Sequence, residues 1–146
     1  MVPGDGTIHM ASQTVRLSRA ALRNPAIAEV EEISGQSLAR CGQCGKCSAG
    51  CPAADAMDLL PNQVIRSLQL GLEDGLRSRT IWLCASCLAC TAGCPNGLDL
   101  ARLMEAARLA SLRRGLSPVS PSTLADAEAA GFPQQAVVAA FRKLQP

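Results

Sequence analysis

All eight cysteines of the chain lie in two short segments that share one pattern. CGQCGKCSAGCP spans residues 41–52 and CASCLACTAGCP spans residues 84–95. Both follow C-x-x-C-x-x-C-x-x-x-C-P, with Ala-Gly before the last cysteine. Hydrophobic residues make up 48% of the chain, but there are only two Phe, one Trp and no Tyr, which excludes a thick aromatic core. We therefore expect two similar halves that face each other and gain stability from what their cysteines bind.

The rest of the pattern predicts helices, and no β-alternation or hairpin signal is present. Asn24 and Pro25 suit the cap and the first turn of a helix that ends at Gly35. A second helix is expected from Pro61, with its end marked by Gly71 and Gly75. The apolar stripe of this helix consists of Val64, Ile65, Leu68 and Leu72.

A third helix is predicted after the second cysteine segment, with Asp99 as its cap. Arg113 and Arg114 are interpreted as charges at its end, just before Gly115. Its apolar residues share one face, namely Leu100, Leu103, Met104 and Ala107. The fold class predicted from these elements is all-α.

The two ends of the chain are predicted to be accessory to one central domain. Residues 1–23 show no clear pattern and are interpreted as an N-terminal arm, whereas residues 24–116 hold the helices and the cysteines. Residues 117–146 begin with the linker SPVSPS and continue as a C-terminal docking tail, with short helices expected at about 123–130 and 134–144. A stripe on the second of these, either core or a docking face, consists of Val137, Phe141 and Leu144.

Four thiolates at this spacing suit a cubane [4Fe–4S] cluster, which needs one thiolate at each corner. Small residues between the cysteines leave room for it and let backbone N–H groups point at its sulfurs; these are Gly42, Gly45, Ala85 and Ala89. In bacterial ferredoxins with this run, the fourth cysteine ligates the other cluster, and the same crossed pattern is expected here. The first cluster is then held by Cys41, Cys44, Cys47 and Cys94, and the second by Cys84, Cys87, Cys90 and Cys51.

The crossed pattern brings the two clusters close together. Cys47 and Cys51 hold different clusters in it, although four residues span at most ~14 Å when extended and only ~6 Å on a helical turn. Two redox centres at short range provide a route for single electrons. No nucleophile–base pair, carboxylate pair or phosphate-binding loop is recognisable, so we expect no catalysis by this chain alone.

Other uses of the cysteines compete with this hypothesis. Structural zinc takes four ligands, usually as two separated C-x-x-C pairs, whereas each segment here has four cysteines. Disulfide frameworks are typical of oxidising compartments. A purely structural pair of iron–sulfur clusters would use the same ligands without transferring electrons.

Hydropathy and charge favour a soluble cytoplasmic protein. No stretch approaches the ~18 uninterrupted apolar residues of a membrane helix, and the first residues lack the pattern of a secretory signal. The formal net charge is +2, but two clusters that each carry about −2 with their thiolates would reverse its sign. We therefore predict neither nucleic-acid binding nor direct insertion into a membrane.

Three single residues give weaker signals. His9, the only histidine, is expected to be exposed and without a function. Lys46 either raises the potential of the first cluster or lies in solvent. Trp82 is expected to pack over the second cluster.

The helical interval between the cysteine segments, residues 52–83, resembles the α-helical ferredoxin domain known from iron–sulfur subunits of succinate dehydrogenase and fumarate reductase. A closer resemblance, over roughly residues 34–107, is to the C subunit of heterodisulfide reductase. The stretches that carry it are SGQSLARCGQCGKCSAGCPAA, NQVIRSLQLGLED and TIWLCASCLACTAGCPNGLDLARLMEA.

This resemblance implies two [4Fe–4S] clusters on the eight cysteines and a place in a hetero-oligomer. The chain would relay electrons between a flavin-containing A-like subunit and a B-like subunit with Cys-Cys-Gly repeats, where the substrate is handled. An alternative is the iron–sulfur subunit of a quinone-linked dehydrogenase of the succinate/fumarate type. Such chains usually add a [2Fe–2S] domain, however, and no cysteine precedes Cys41. A third hypothesis is a metal-stabilised interaction module without redox activity.

Overall fold

A computed structural model describes residues 24–116 and 131–142 of the chain, and this part contains helices and no strand. The all-α fold class is therefore confirmed for the described residues. The predicted arm, the linker SPVSPS and the tail helix at about 123–130 lie outside them.

The helices are short apart from three in the central domain and one in the tail. In chain order they are α1 Pro25–Ser34, α2 Lys46–Ala49, α3 Pro61–Gln69, α4 Asp74–Arg77, α5 Thr80–Leu83, α6 Ala89–Ala92, α7 Leu100–Arg113 and α8 Gln134–Arg142. Two 3-10 turns, Leu38–Arg40 and Ala54–Ala56, precede the first cysteine segment and follow it.

The predicted starts of α1 and α7 are confirmed. The side chain of Asn24 accepts a hydrogen bond from the backbone N–H of Ala26 at 2.9 Å, and Pro25 occupies the first helical position. Asp99 accepts from the backbone N–H of Arg102 at 3.1 Å. These caps satisfy N–H groups that have no partner within the helix, which is why sequence alone located both helix starts.

The predicted second helix is shorter than its apolar stripe suggested. It ends at Gln69, because Gly71 has a φ of 76°, which no helix continues. Leu72 therefore lies in a turn, where its carbonyl accepts from Ser67 Oγ at 3.2 Å. The assignment of Leu72 to the helical stripe was wrong.

Gly71 thus marks the end of that helix as predicted, but Gly75 does not. It lies buried within α4, where α4 packs against α3. A Cβ atom at this position would lie 3.1 Å from the carbonyl oxygen of Val64 and 3.2 Å from Leu68 Cδ2. Glycine is needed here for the close approach of two helices.

The hydrophobic core lies between α7 and the other helices of the domain. α1 packs along α7, and α4 and α5 also contact it. The predicted apolar faces of α3 and α7 are buried apart from Leu72. The core is built mainly from small and aliphatic side chains, among them Ala26, Val30, Val64, Ile65, Leu68, Leu76, Ile81, Leu103, Ala107 and Ala110.

The two arginines at the end of α7 connect it to other helices. Arg113 forms an ion pair with Glu29 of α1 at 2.9 Å. Arg114 lies 3.7 Å from Glu29 and 3.5 Å from Glu73, the residue before α4. Their interpretation as simple helix-end charges was therefore incomplete, although partly exposed ion pairs add little stability.

The tail helix α8 is present at the position predicted for it. Val137 is half-buried there, whereas Phe132 and Val138 are exposed. The side chains of Phe141 and Leu144 lie outside the described part of the chain, so a docking role for the tail stays a prediction. Among the described helices, none has the length and apolar character needed to cross a membrane.

Candidate metal centres

The two cysteine segments share the same backbone course. Each ends in a four-residue helix, α2 and α6, preceded by a residue in the left-handed conformation. That residue is Gly45 in the first segment, with φ of 77°, and Leu88 in the second, with φ of 64°. Gln43 and Ser86, two residues earlier, also have positive φ values, 55° and 52°. The sequence repeat is thus a structural repeat.

Leu88 keeps this conformation at a cost that glycine would not incur. A left-handed residue with a Cβ atom is disfavoured by roughly 1–2 kcal/mol. The side chain of Leu88 is 55% exposed, so its own packing compensates little of that cost. Strain of this kind is typical of loops shaped around a ligand.

A first cavity, partly open to solvent, lies between the two segments. Gly42 and Gly45 line it, as predicted for residues that leave room, together with Asn62 and Leu100 from the starts of α3 and α7. The cysteines that line it come from both segments and are Cys41, Cys44, Cys47 and Cys94.

A second cavity, also partly open to solvent, has the reciprocal composition. Ala85 and Ala89 line it, and Met57 and Met104 supply apolar walls. Trp82 packs half-buried against the hydrophobic core but does not line this cavity, so its expected place over the second cluster stays a prediction. The cysteines that line the second cavity are Cys84, Cys87, Cys90 and Cys51.

Each cavity is bordered by four cysteines, which is the number of thiolates that a cubane [4Fe–4S] cluster takes at its corners. Within residues 24–116 and 131–142, no three Cys, His, Asp or Glu side chains form a ready-made site for a single metal ion.

A hydroxyl directly after the third cysteine of each set anchors the helix that follows. Ser48 Oγ accepts from the backbone N–H of Asn62 at 3.1 Å and donates to its side-chain oxygen at 2.6 Å. Thr91 Oγ1 donates to Asp99 Oδ1 at 3.1 Å and accepts from the backbone N–H of Ala101 at 3.5 Å. Sequence reasoning missed this role of the two hydroxyl groups. The endings SAGCP and TAGCP, which both begin with a hydroxyl residue, could have indicated it.

Further hydrogen bonds connect the residues that follow each cysteine segment to the residues that precede the other segment. After Cys94, Asn96 exchanges two hydrogen bonds with Arg40, at 2.8 and 2.9 Å. After Cys51, the carboxylate of Asp58 accepts from the backbone N–H groups of Arg79 and Thr80, at 2.9 and 3.0 Å. Both links bring the fourth cysteine of one set towards the first cysteine of the other.

Comparison with known proteins identifies this region. The family model described as a 4Fe-4S dicluster domain matches residues 37–98. Residues 37–98 are thus similar to a 4Fe-4S dicluster domain, a name that is kept below for this region. This match and the eight cysteines within it support two [4Fe–4S] clusters, as the sequence pattern predicted.

Two curated relatives confirm the resemblance seen in the sequence. The chain is 34% identical over 95 residues to the iron–sulfur C subunit of the CoB–CoM heterodisulfide reductase of Methanopyrus kandleri, which covers 64% of this chain and 48% of the relative. It is 34% identical over 56 residues to the C subunit of the H2:CoB–CoM heterodisulfide,ferredoxin reductase of Methanothermobacter marburgensis, covering 38% and 30%. The chain therefore spans half or less of these relatives. Their names support electron transfer at the level of an iron–sulfur subunit.

The cysteines of the dicluster domain differ in their surroundings. Burial raises the pKa of the Cys47 and Cys90 thiols, and it outweighs the hydrogen bonds with Ser48 and Thr91 that lower them. Because iron is bound by thiolates, cluster binding must displace these protons. Gln43 Nε2 lies 3.4 Å from Cys41 Sγ, and the N–H of Leu98 donates to Cys94 Sγ at 3.4 Å.

Asp58 stabilises the start of α5 through its hydrogen bonds with Arg79 and Thr80, and this stabilisation depends on pH. Partial burial raises its pKa, but hydrogen bonds from Arg79, Thr80 and Leu59 outweigh this, so the pKa lies below its ordinary value. The folded-state pKa is thus lower than the unfolded value of about 3.9. The stabilisation is present above that value and is lost as the pH falls through the folded-state pKa.

Replacing Asp58 with Ala should therefore lower the free energy of unfolding by about 1 kcal/mol, as for a lost helix cap. Urea unfolding of the cluster-loaded protein, followed by circular dichroism, should show the same difference at pH 7 and pH 5. Asp55→Ala, which removes a neighbouring exposed carboxylate, is the control and should change little. A difference that disappears between pH 7 and pH 5 would contradict this role of Asp58.

Proposed function

We propose that the chain is the electron-transfer iron–sulfur subunit of a heterodisulfide-reductase-like complex. In this role it relays electrons between a flavin-containing A-like subunit and a Cys-Cys-Gly-containing B-like subunit. The dicluster domain and the names of the two relatives support the proposal. The substrate site then lies on a partner, and residues 24–116 act as the conducting domain of a hetero-oligomer.

The observation that carries this proposal is the reciprocal lining of the two cavities. Each is bordered by the first three cysteines of one set and the fourth cysteine of the other. The proposed ligands of the first cluster are therefore Cys41, Cys44, Cys47 and Cys94. Those of the second are Cys84, Cys87, Cys90 and Cys51.

Short helices set the separation of the two centres. α2 contains Cys47 and ends two residues before Cys51, and the N–H of Gly50 donates to the carbonyl of Lys46 at 3.1 Å, as in a helical turn. α6 contains Cys90 and ends two residues before Cys94 in the same way. Residues four apart on such a turn are only ~6 Å apart. The crossed ligands thus bring the two sites within a distance that suits electron transfer.

A [4Fe–4S] cluster supplies one-electron redox chemistry when it is bound. The protein keeps water from one side of each site and leaves the other side accessible. Cys47 is buried, and Leu100 and Met104 contribute apolar walls. Cys44 and Cys87 are exposed, one at each site. Each site therefore has an exposed edge open to the approach of a redox partner, one for each side of a relay.

Analysis of the anaerobically purified chain for iron and acid-labile sulfide, with EPR spectra of the reduced form, tests this function. We expect two clusters that reduce reversibly, with spectra broadened by magnetic coupling between them. Affinity purification from the native host should recover a flavin protein together with a protein that has Cys-Cys-Gly repeats. Zinc without sulfide would contradict the proposal, and recovery of a membrane anchor would favour the quinone-linked alternative.

A further inference from the structure

The carbonyl group of the first cysteine in each set is held by a side chain from a long helix. At the first site, Gln69 Nε2 at the end of α3 donates to the carbonyls of Leu38 and Cys41, at 2.8 and 3.0 Å. At the second site, the Arg108 guanidinium of α7 donates to the carbonyls of Ile81 and Cys84. In both cases the other carbonyl lies three residues before the cysteine. The side chains of Gln69 and Arg108 are therefore structurally equivalent, and we call them the two braces.

The two braces differ in charge. Gln69 carries a neutral amide, whereas the guanidinium of Arg108 is a permanent cation. The Arg108 side chain is only 18% exposed, and its ion-pair partner Glu105, 2.7 Å away, is 49% exposed. Solvent therefore weakens the field of Glu105 more than that of Arg108. Lys46, which lines the first cavity, is exposed, so it does not reproduce this arrangement.

Arg108 also lies one helical turn beyond Met104, which lines the second cavity. Residues four apart on a helix share a face, so α7 directs both side chains towards the second site. The bond to Cys84 places the cation at the backbone of a residue that lines the same cavity. Reduction of a cluster adds negative charge, and a poorly solvated cation nearby favours the reduced state.

We infer that Arg108 is a positioning residue of the second [4Fe–4S] cluster and that its charge raises the reduction potential of that cluster. The inference rests on the proposed function, in which Cys84 is a ligand of the second cluster. Gln69 performs the positioning at the first cluster without the charge. The matched braces thus give two similar sites different potentials.

The first site offers a reference that identifies which potential belongs to which cluster. Gln43 Nε2 lies 3.4 Å from Cys41 Sγ. A donor to a ligand sulfur also favours the reduced state. Gln43→Ala should therefore lower the potential of the first cluster, whereas Arg108→Gln should lower that of the second.

The test is a potentiometric titration, followed by EPR, of the full chain loaded with both clusters. Arg108→Gln should lower one of the two midpoint potentials by about 59 mV, which is a tenfold change in the equilibrium constant of a one-electron couple. Gln43→Ala should lower the other midpoint. Arg108→Lys, which keeps the charge, should stay nearer to the wild-type value than Arg108→Gln. Arg113→Gln, which removes the same charge at the far end of α7, should shift neither midpoint.

Several results would overturn the inference. It fails if Arg108→Gln and Gln43→Ala lower the same midpoint potential, or if Arg108→Gln shifts both midpoint potentials equally. It also fails if Arg108→Lys lowers the midpoint potential as much as Arg108→Gln does. If Arg108→Gln loses a cluster, the inference is supported only when the remaining midpoint is the one that Gln43→Ala lowers. A wild-type protein with two reversible midpoints that Arg108→Gln leaves unchanged overturns this inference alone. A wild-type protein without two reversible clusters overturns the proposed function as well.

Discussion

Replacing Cys44 and Cys94 together with serine should leave one [4Fe–4S] cluster intact, whereas replacing Cys87 and Cys94 together should damage both. The reason is the crossed arrangement, in which Cys44 and Cys94 share the first cavity while Cys87 belongs to the second. Serine has nearly the shape of cysteine but lacks the soft thiolate that iron–sulfur clusters select. Each pair removes the same number of thiols, so only the grouping of the ligands differs.

Iron and acid-labile sulfide per chain, together with EPR of the reduced protein, measure the outcome. The Cys44/Cys94 variant should retain about half of the wild-type iron and an uncoupled signal from a single cluster. The Cys87/Cys94 variant should retain little iron and little EPR signal from either cluster. Ligation within each set predicts the reverse result for both variants, because Cys87 and Cys94 would then share a cluster. The pair Cys87 and Cys51 serves as the matched control at the second site and should behave like Cys44 and Cys94.

Replacing Gly75 with valine should lower the free energy of unfolding by about 3 kcal/mol, the upper part of the range for overpacked sites. The nearest atom to the new Cβ is the backbone carbonyl oxygen of Val64, at 3.1 Å, and Leu68 is almost as close. A backbone atom cannot rotate away as a flexible side chain does. α4 must therefore move away from α3, which also strains the 3.0 Å hydrogen bond from Gly75 N–H to Ser67 Oγ.

Urea unfolding of the cluster-loaded protein gives this difference, and two further variants establish its cause. Gly75→Ala should cost less than Gly75→Val, because it adds only the Cβ atom. Arg77→Val places the same β-branched residue on α4 at an exposed position, where it should cost less than about 1 kcal/mol. Equal losses for Gly75→Val and Arg77→Val would mean that helix propensity, not crowding, determines the effect.

The features that could be predicted depend on contacts within a few residues. Asn24 and Asp99 cap their helices through N–H groups two and three residues away. The cysteine spacing likewise reports a local loop geometry, and it indicated the two [4Fe–4S] clusters. Local chemistry of this kind is visible in any stretch of sequence that contains both partners.

The features that sequence reasoning missed connect residues far apart in the chain. Gly75 was interpreted as a helix end, because a glycine needed for close packing looks the same in sequence as one that ends a helix. Arg108 gave no signal at all, since its partners Ile81 and Cys84 belong to a different helix and loop. The ion pairs of Arg113 and Arg114 were missed for the same reason.

The amino-acid order alone specified a helical chain with two cluster-binding loops, because caps, glycines and thiol spacing act over a single turn of backbone. Only the packed structure decided which side chains brace those loops and which helices must touch without a side chain between them. Those choices depend on α3 and α7 meeting the cysteine segments in space, and no local pattern records where two distant helices will meet.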